Sequence, residues 1–251
     1  MPIFALAVLG IVQGLCEFLP ISSSGHLVLL SMVFGIEDSL FVSIILHVAT
    51  LLAVVVVMRK ELWQVIRNPF SKETISLAIA TISTCIIAII LMPLISASFE
   101  GMLLPVFFML SAFVLYFVGS KRKSEGEITY KRALFIGLAQ GLAIFPGLSR
   151  SGTTISAGIA SGGGKEESAK FSFLVSLPII VGSLAMEVYK IIVEGQTISV
   201  NIAGIILSFI LSFLVGIISI KFMLKMTNNT SFKYFSIYLI IIAIISAIII
   251  W

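Results

Sequence analysis

The apolar runs of this chain are about 18 to 24 residues long and show no period of two, the length that an α-helix needs to cross the hydrocarbon of a bilayer. Six are uninterrupted: roughly 39–58, 74–96, 101–119, 171–189, 199–220 and 234–251. In lipid every backbone polar group must be satisfied within the protein, which leaves helices or a closed barrel. Barrel strands alternate in polarity and are about half as long, so the runs select helices. Composition agrees. Only 11% of the 251 residues are charged, against about 25% in soluble domains, and the mean hydropathy is +1.18. No polar stretch is long enough for a second domain, so residues 1–251 are read as a single membrane domain. The first basic residue is Arg59, so the N-terminus does not read as a cleavable signal peptide, and Cys16 and Cys85 lie inside apolar segments rather than in a disulfide framework.

Two further apolar regions, 2–34 and 134–168, are interrupted in the middle. Pro20 and Ser22-Ser23-Ser24-Gly25-His26 break the first; Pro146-Gly147 and Ser149-Arg150-Ser151-Gly152 break the second. Such breaks fit two half-helices flanking a loop at membrane depth, tolerated where protein or a wet cavity surrounds it. An offset of 127 residues lays Gly10-Ile11-Val12-Gln13-Gly14-Leu15 on Gly137-Leu138-Ala139-Gln140-Gly141-Leu142, and Ser22-Ser23-Ser24-Gly25 on Ser149-Arg150-Ser151-Gly152. Eight of the 17 positions from Gly10 to His26 are identical. The expected architecture is therefore an all-α polytopic membrane protein. It has six full spans, two re-entrant helix–loop–helix elements and repeats of approximately 2–119 and 134–251. Three spans per repeat is an odd number, which inverts the second copy.

The net charge of +4 follows from basic residues at the ends of the runs, so it reads as a topology signal and not as a nucleic-acid surface. With the N-terminus outside, 14 of the 16 basic residues fall on the cytoplasmic side, in 59–72, 120–132, 165–170 and 221–233. Lys190 and Arg150 are the exceptions, and the connections placed outside carry Glu37, Asp38, Glu100 and Glu194. This orientation puts both termini outside and brings the two broken regions together near the midplane, the first entering from the outer face.

Chemistry concentrates in those breaks. Gln13 and Glu17 are four apart and share a helix face; a carboxylate among apolar neighbours marks a function or a structural hydrogen-bonding role. Ser22, Ser23, Ser24 and Gly25 stand where a helix begins, and exposed N–H groups beside hydroxyls there make a phosphate cradle, although simple capping accounts for one serine. His26 offers a base or a nucleophile. In the second break Arg150 either grips a phosphate through its planar fork or ion-pairs with Glu17, flanked by Ser149, Ser151, Gly152 and Thr154. His47 lies inside a span and has both a cavity-facing and a structural reading. Gly162-Gly163-Gly164 lacks the following Lys-Ser/Thr and reads as a turn, and the sequon Asn228-Asn229-Thr230 falls on the cytoplasmic side.

The stretch from Gln13 to His26 resembles the first signature of the undecaprenyl diphosphate phosphatase family, also called the bacitracin-resistance BacA family, and Pro146 to Thr154 resembles its second. The resemblance covers nearly the whole chain, including Ile45-Leu46-His47. It implies an enzyme that dephosphorylates a polyprenyl diphosphate lipid to the monophosphate, recycling a carrier for cell-wall glycans. It also implies a plasma-membrane location, an outward-facing site and a divalent metal, usually Mg²⁺. The residues matching the family's site are Glu17, Ser23, His26, Arg150 and Thr154, with Glu17 a direct or water-mediated metal ligand. Gln13 stands where many members have Glu, which removes one charge. Ser23 attacking with His26 taking its proton is the expected mechanism, and attack by His26 stays open beside it. Inverted repeats with broken helices are also transporter architecture, so a polyprenyl-phosphate flippase is the alternative function. A homodimer stays open as the assembly.

Overall fold

The computed structural model describes residues 2–36, 39–98, 101–119, 126–194, 201–227 and 232–251. Glu37, Asp38, Glu100, Lys121, Arg122, Lys123 and the Asn228–Thr230 sequon lie outside the described residues. Among the described residues there are eleven α-helices and no strand. They are α1 (Ile3–Cys16), α2 (Ser23–Phe34), α3 (Ser39–Val57), α4 (Arg59–Arg67), α5 (Lys72–Ser98), α6 (Leu104–Gly119), α7 (Tyr130–Leu142), α8 (Arg150–Ala160), α9 (Lys165–Glu194), α10 (Ile202–Met226) and α11 (Lys233–Ile250).

Four of these, α5, α9, α10 and α11, are long and apolar enough to cross a membrane, and α3 with α4 makes a fifth if the bent pair counts as one span. The run 101–119 yields a shorter helix than its hydropathy suggests. Gly101 turns at φ +82°, a left-handed conformation that suits glycine, and Pro105 stands in the first turn of α6. The resulting 16 residues reach about 24 Å, short of the ~30 Å hydrocarbon core. α4 leaves the axis of α3 by 77°. Leu62 packs on the core while Trp63 and Ile66 are exposed beside Arg59, Lys60 and Arg67, the arrangement of a helix lying along an interface.

Each broken region folds as helix–turn–helix. α1 and α2 have 14 and 12 residues, α7 and α8 have 13 and 11, so each helix measures about 16 to 21 Å. No one of them spans the bilayer alone. α1 packs on α10 and α7 on α5, so each short helix rests on a long one from the other half of the sequence. α3 packs on α9 and α10, and α6 on α8 and α11.

The outer surface is apolar: Ile86, Ile89, Ile206, Ile218, Ile244 and Ile248 are exposed. Polar groups face inward, with Gln13, Thr50, Ser208 and Ser212 fully buried. The main core gathers Phe18, Phe108, Leu115, Ile155, Phe173 and Ile220, with Phe18 and Phe173 edge to face at 5.6 Å. Where hydrophobic pressure between helices is absent, small residues let backbones approach and make the contacts. Gly10 and Gly14 of α1 lie directly on Ser208, Ser212 and Gly216 of α10; a Cβ on Gly14 would come 2.7 Å from the Ser212 carbonyl oxygen and 2.9 Å from the Gly216 nitrogen.

Gly14→Val should therefore destabilise the protein by about 1–3 kcal/mol, the usual cost of overpacking. Gly182→Val, at a position with open space around it, is the control and should be far milder. Thermal unfolding in detergent reads the difference; equal midpoints for the two variants would rule out backbone contact between α1 and α10 as a source of stability.

Candidate active site

The centre of the protein is one carboxylate. Glu17 follows the last turn of α1, and its side chain is 3% exposed. Its Oε1 accepts from the Arg150 guanidinium in an ion pair. Its Oε2 accepts from the Ser23 hydroxyl at 2.5 Å and from the Gln13 amide at 3.1 Å. The His47 imidazole brings Nε2 to 3.7 Å from the same oxygen, while Nδ1 donates to the Ser43 carbonyl at 2.8 Å. The Gln13 amide also reaches Thr50 Oγ1 at 3.4 Å, whose hydroxyl donates to the His47 carbonyl. A buried carboxylate needs this density of donors, because each unpaired charge in an apolar interior costs several kcal/mol.

Local sequence explains how these groups arrive. Gln13 and Glu17 share the inner face of α1 at i, i+4 spacing. Pro20 ends any helical continuation, and the chain reverses through Ser22, which adopts φ +68° although it carries a side chain. The Ser22 hydroxyl caps α2 by accepting from the Gly25 N–H at 3.4 Å, so Ser23 is the first helical residue. Ser149 does the same for α8, accepting from Gly152 N–H at 3.0 Å, and Arg150 is the first residue of that helix. The two turns interlock: Ser151 donates to the Leu19 carbonyl at 3.0 Å, and a Cβ on Gly25 would lie 2.9 Å from the Gly147 Cα. Two helix N-termini, with their partial positive charge, thus begin at one shared carboxylate.

The structure brings Gln13, Glu17, Ser23 and Arg150 together. Ser22 and Ser149 serve as caps, Ser151 ties turn to turn, Gly25 and Gly152 allow the close approach, and Ser24 is half-buried in the first turn of α2. His26 is turned elsewhere. Its Nδ1 donates to the Ser22 carbonyl at 2.7 Å, and its Nε2 accepts from the Tyr238 hydroxyl at 2.8 Å. With both nitrogens engaged, the proton of Ser23 points to Glu17 and not to His26. Thr154 is also directed away: fully buried, it lies 2.5 Å from the Ser172 hydroxyl and donates to the Arg150 carbonyl at 2.8 Å, bracing α8 from behind. Thr50 and Tyr238 carry no signal in the sequence by themselves; Thr50 could have been found as the residue one turn beyond His47 on the same face.

The residues do not fit a metal held by protein alone. Both Glu17 oxygens already accept hydrogen bonds, and among the described residues no three His, Cys, Asp or Glu side chains converge. Among the described residues, the neutral Gln13 Oε1 is buried and without a hydrogen-bond partner, and so is Glu187 Oε2, whose carboxylate interacts with His47.

A hydroxyl, a carboxylate and an arginine meet at two helix N-termini inside an all-helical membrane protein, and helix N-termini and arginine are groups that bind anions. The chain belongs to the family described as bacitracin resistance protein BacA, which it matches over residues 6–245. It is 37% identical to a protein of Methanosphaera stadtmanae over 98% of this chain and 97% of that one. It is 39% identical to one of Thermosipho melanesiensis, over 95% and 96%, and 34% identical to one of Carboxydothermus hydrogenoformans, over 96% and 95%. All three relatives are named undecaprenyl-diphosphatase.

Removing one member of the central ion pair should cost more than removing both. Glu17→Ala strands the Arg150 charge and should destabilise by about 3–5 kcal/mol, while Glu17→Ala combined with Arg150→Met should recover part of that loss. Unfolding midpoints decide; a double variant as unstable as the sum of the two singles would mean that the pair is not coupled.

Proposed function

We propose that the protein is a phosphatase of the plasma membrane that converts a polyprenyl diphosphate, undecaprenyl diphosphate or a relative of it, to the monophosphate and inorganic phosphate, recycling the lipid carrier used in cell-envelope glycan synthesis. The observation that carries this reading is the Ser23 hydroxyl held 2.5 Å from Glu17, with Arg150 on the other oxygen of the same carboxylate. The names of the matched relatives favour the enzyme over the flippase.

The terminal phosphate docks against the first-turn N–H groups of α2 and α8 and against Arg150, of which only Nη2 bonds Glu17. Ser23 Oγ attacks the terminal phosphorus as Glu17 takes its proton. The P–O bond to the bridging oxygen breaks, and polyprenyl monophosphate leaves. Once Glu17 has passed that proton to the departing phosphate oxygen, it deprotonates a water that attacks the phosphoserine; the P–O bond to Ser23 breaks, Glu17 returns the proton to Ser23 Oγ, and inorganic phosphate leaves. Arg150 and the helix N-termini stabilise the equatorial oxygens throughout. In this reading magnesium would supply charge neutralisation to the diphosphate, and no protein group is assigned to it. The prenyl tail lies in the apolar groove of about 610 Å³ between α6 and α11, which Met109, Phe113, Ile244 and Trp251 help to line.

The same reading takes the two helix–turn–helix elements as re-entrant and the chain as an inverted repeat with its site open to the outer face. Charge supports it. Lys72 pairs with Glu127 at 2.8 Å, and Glu73 feels Glu61, Glu167 and Lys170, so the starts of α4, α5 and α9 share one basic end. At the far end the Trp251 indole donates to the Met102 carbonyl at 3.2 Å. The positive-inside bias makes the basic end cytoplasmic.

Phosphate release from defined polyprenyl diphosphates by purified protein in detergent tests the chemistry. Ser23→Ala and Glu17→Gln should each lose about 1,000-fold or more, and Arg150→Lys about 100-fold, since a point charge cannot replace the fork. Near-normal turnover of Ser23→Ala would exclude the serine as nucleophile.

Topology has its own test in intact cells, after Cys16 and Cys85 are replaced. A cysteine at Met102 should react with an impermeant maleimide, and one at Glu127 only after the membrane is opened. The reverse pattern would place the site on the cytoplasmic face.

A further inference from the structure

Ser22 is the only non-glycine residue with positive φ among the described residues, and it immediately precedes the candidate nucleophile. A side chain at φ +68° is strained and persists only where its surroundings hold it. What holds it is visible. The Ser22 carbonyl receives the His26 Nδ1–H at 2.7 Å as well as the His26 backbone N–H at 3.3 Å. A carbonyl only accepts, so Nδ1 carries the proton and Nε2 of the neutral ring carries the lone pair. That lone pair accepts from the Tyr238 hydroxyl at 2.8 Å. The two rings also stack, 6° from parallel at 5.7 Å, and Phe108 meets His26 edge-on at 5.3 Å. The second turn is held from a matching place. Ser111 of α6 donates to the Gly147 carbonyl at 3.1 Å and accepts from the Ser149 N–H at 2.9 Å. Tyr238 stands 127 residues after Ser111, the offset that lays Gly10 on Gly137.

We propose that His26 and Tyr238 are positioning residues: Tyr238 fixes the ring of His26, His26 fixes the left-handed turn at Ser22, and that turn aims the Ser23 hydroxyl at Glu17. The inference rests on the phosphatase reading for its kinetic arm only. His26 moves no proton in the reaction and forms no bond to phosphorus. Losing the clamp lets the turn relax, so that a smaller fraction of molecules has Ser23 on Glu17, while the part of the phosphate cradle made by Arg150 and α8 is left in place.

His26→Leu should therefore lower kcat by about 5- to 150-fold, the population shift that backbone strain of this kind corresponds to, with KM changed less than about 3-fold. Tyr238→Phe keeps the stacked ring and should give a smaller loss in the same direction. Ser22→Gly, which takes positive φ without strain, should recover at least about 5-fold when added to His26→Leu. A group that transfers protons or phosphate could not be rescued this way. Hydrogen exchange of residues 22–27, read by mass spectrometry on protein in detergent, provides a measurement without turnover. Exchange should quicken in His26→Leu and Tyr238→Phe and stay unchanged in Ser23→Ala. Unchanged exchange in both clamp variants, no recovery on adding Ser22→Gly, or phosphate trapped on His26 would each overturn the proposal. If wild-type protein releases no phosphate at all, the phosphatase reading fails and the exchange measurement still decides the clamp.

Discussion

A carboxylate sealed among apolar helices must be neutralised from somewhere, and Glu17 is neutralised from the opposite half of the chain. Arg150 comes from the start of α8, more than a hundred residues away, and both side chains are largely shut off from the surface. In such surroundings each charge without the other would be costly, so the pair fixes the two turns against each other. Ser23, Gln13 and His47 then crowd the same carboxylate because a buried charge needs donors for its lone pairs. The candidate site and the join between the halves of the protein are the same set of contacts.

This economy has a chemical side. A carboxylate that already accepts a serine hydroxyl is placed to act as a base without any rearrangement, and an arginine with a free edge is placed to receive an anion. The helix starts add N–H groups that nothing within their own helices can satisfy. Three groups that are awkward at membrane depth when taken singly (an acid, a cation and open helix ends) become mutually satisfied once assembled, and a phosphate can take the place of part of that satisfaction.

Much of this was legible in the sequence, and for identifiable reasons. Helical class followed from run length and the lack of alternation, and Pro20 and Pro146-Gly147 marked the turns because each stands beside a run of serines, glycine and an ionisable residue, whereas Pro178 without such neighbours stays inside α9. Glu17, Ser23 and Arg150 stood out as polar groups in apolar surroundings. The direction of each side chain was not legible. His26 sits three residues from Ser23, one helical turn away, yet its partners are a carbonyl behind it and a tyrosine from the last helix, a contact that no local pattern encodes. Thr154 matched a motif but its hydroxyl lies against Ser172. The shortness of α6 depended on the φ of Gly101, which hydropathy does not register.

The packing of α1 on α10 and of α7 on α5 also bears on how such a protein is made. A ribosome delivers α1 to the membrane long before α10 exists. Until then the glycine face of α1 has no serine-lined partner, the helix is too short to span alone, and the Glu17 carboxyl waits for an arginine not yet translated. The early chain is thus an inserted but unassembled set of helices, and its interior closes only when the second half threads between the elements of the first. Quality control in the membrane would meet its most exposed substrate in that interval, with the Glu17 carboxyl still open to lipid and α1 still without its partner helix.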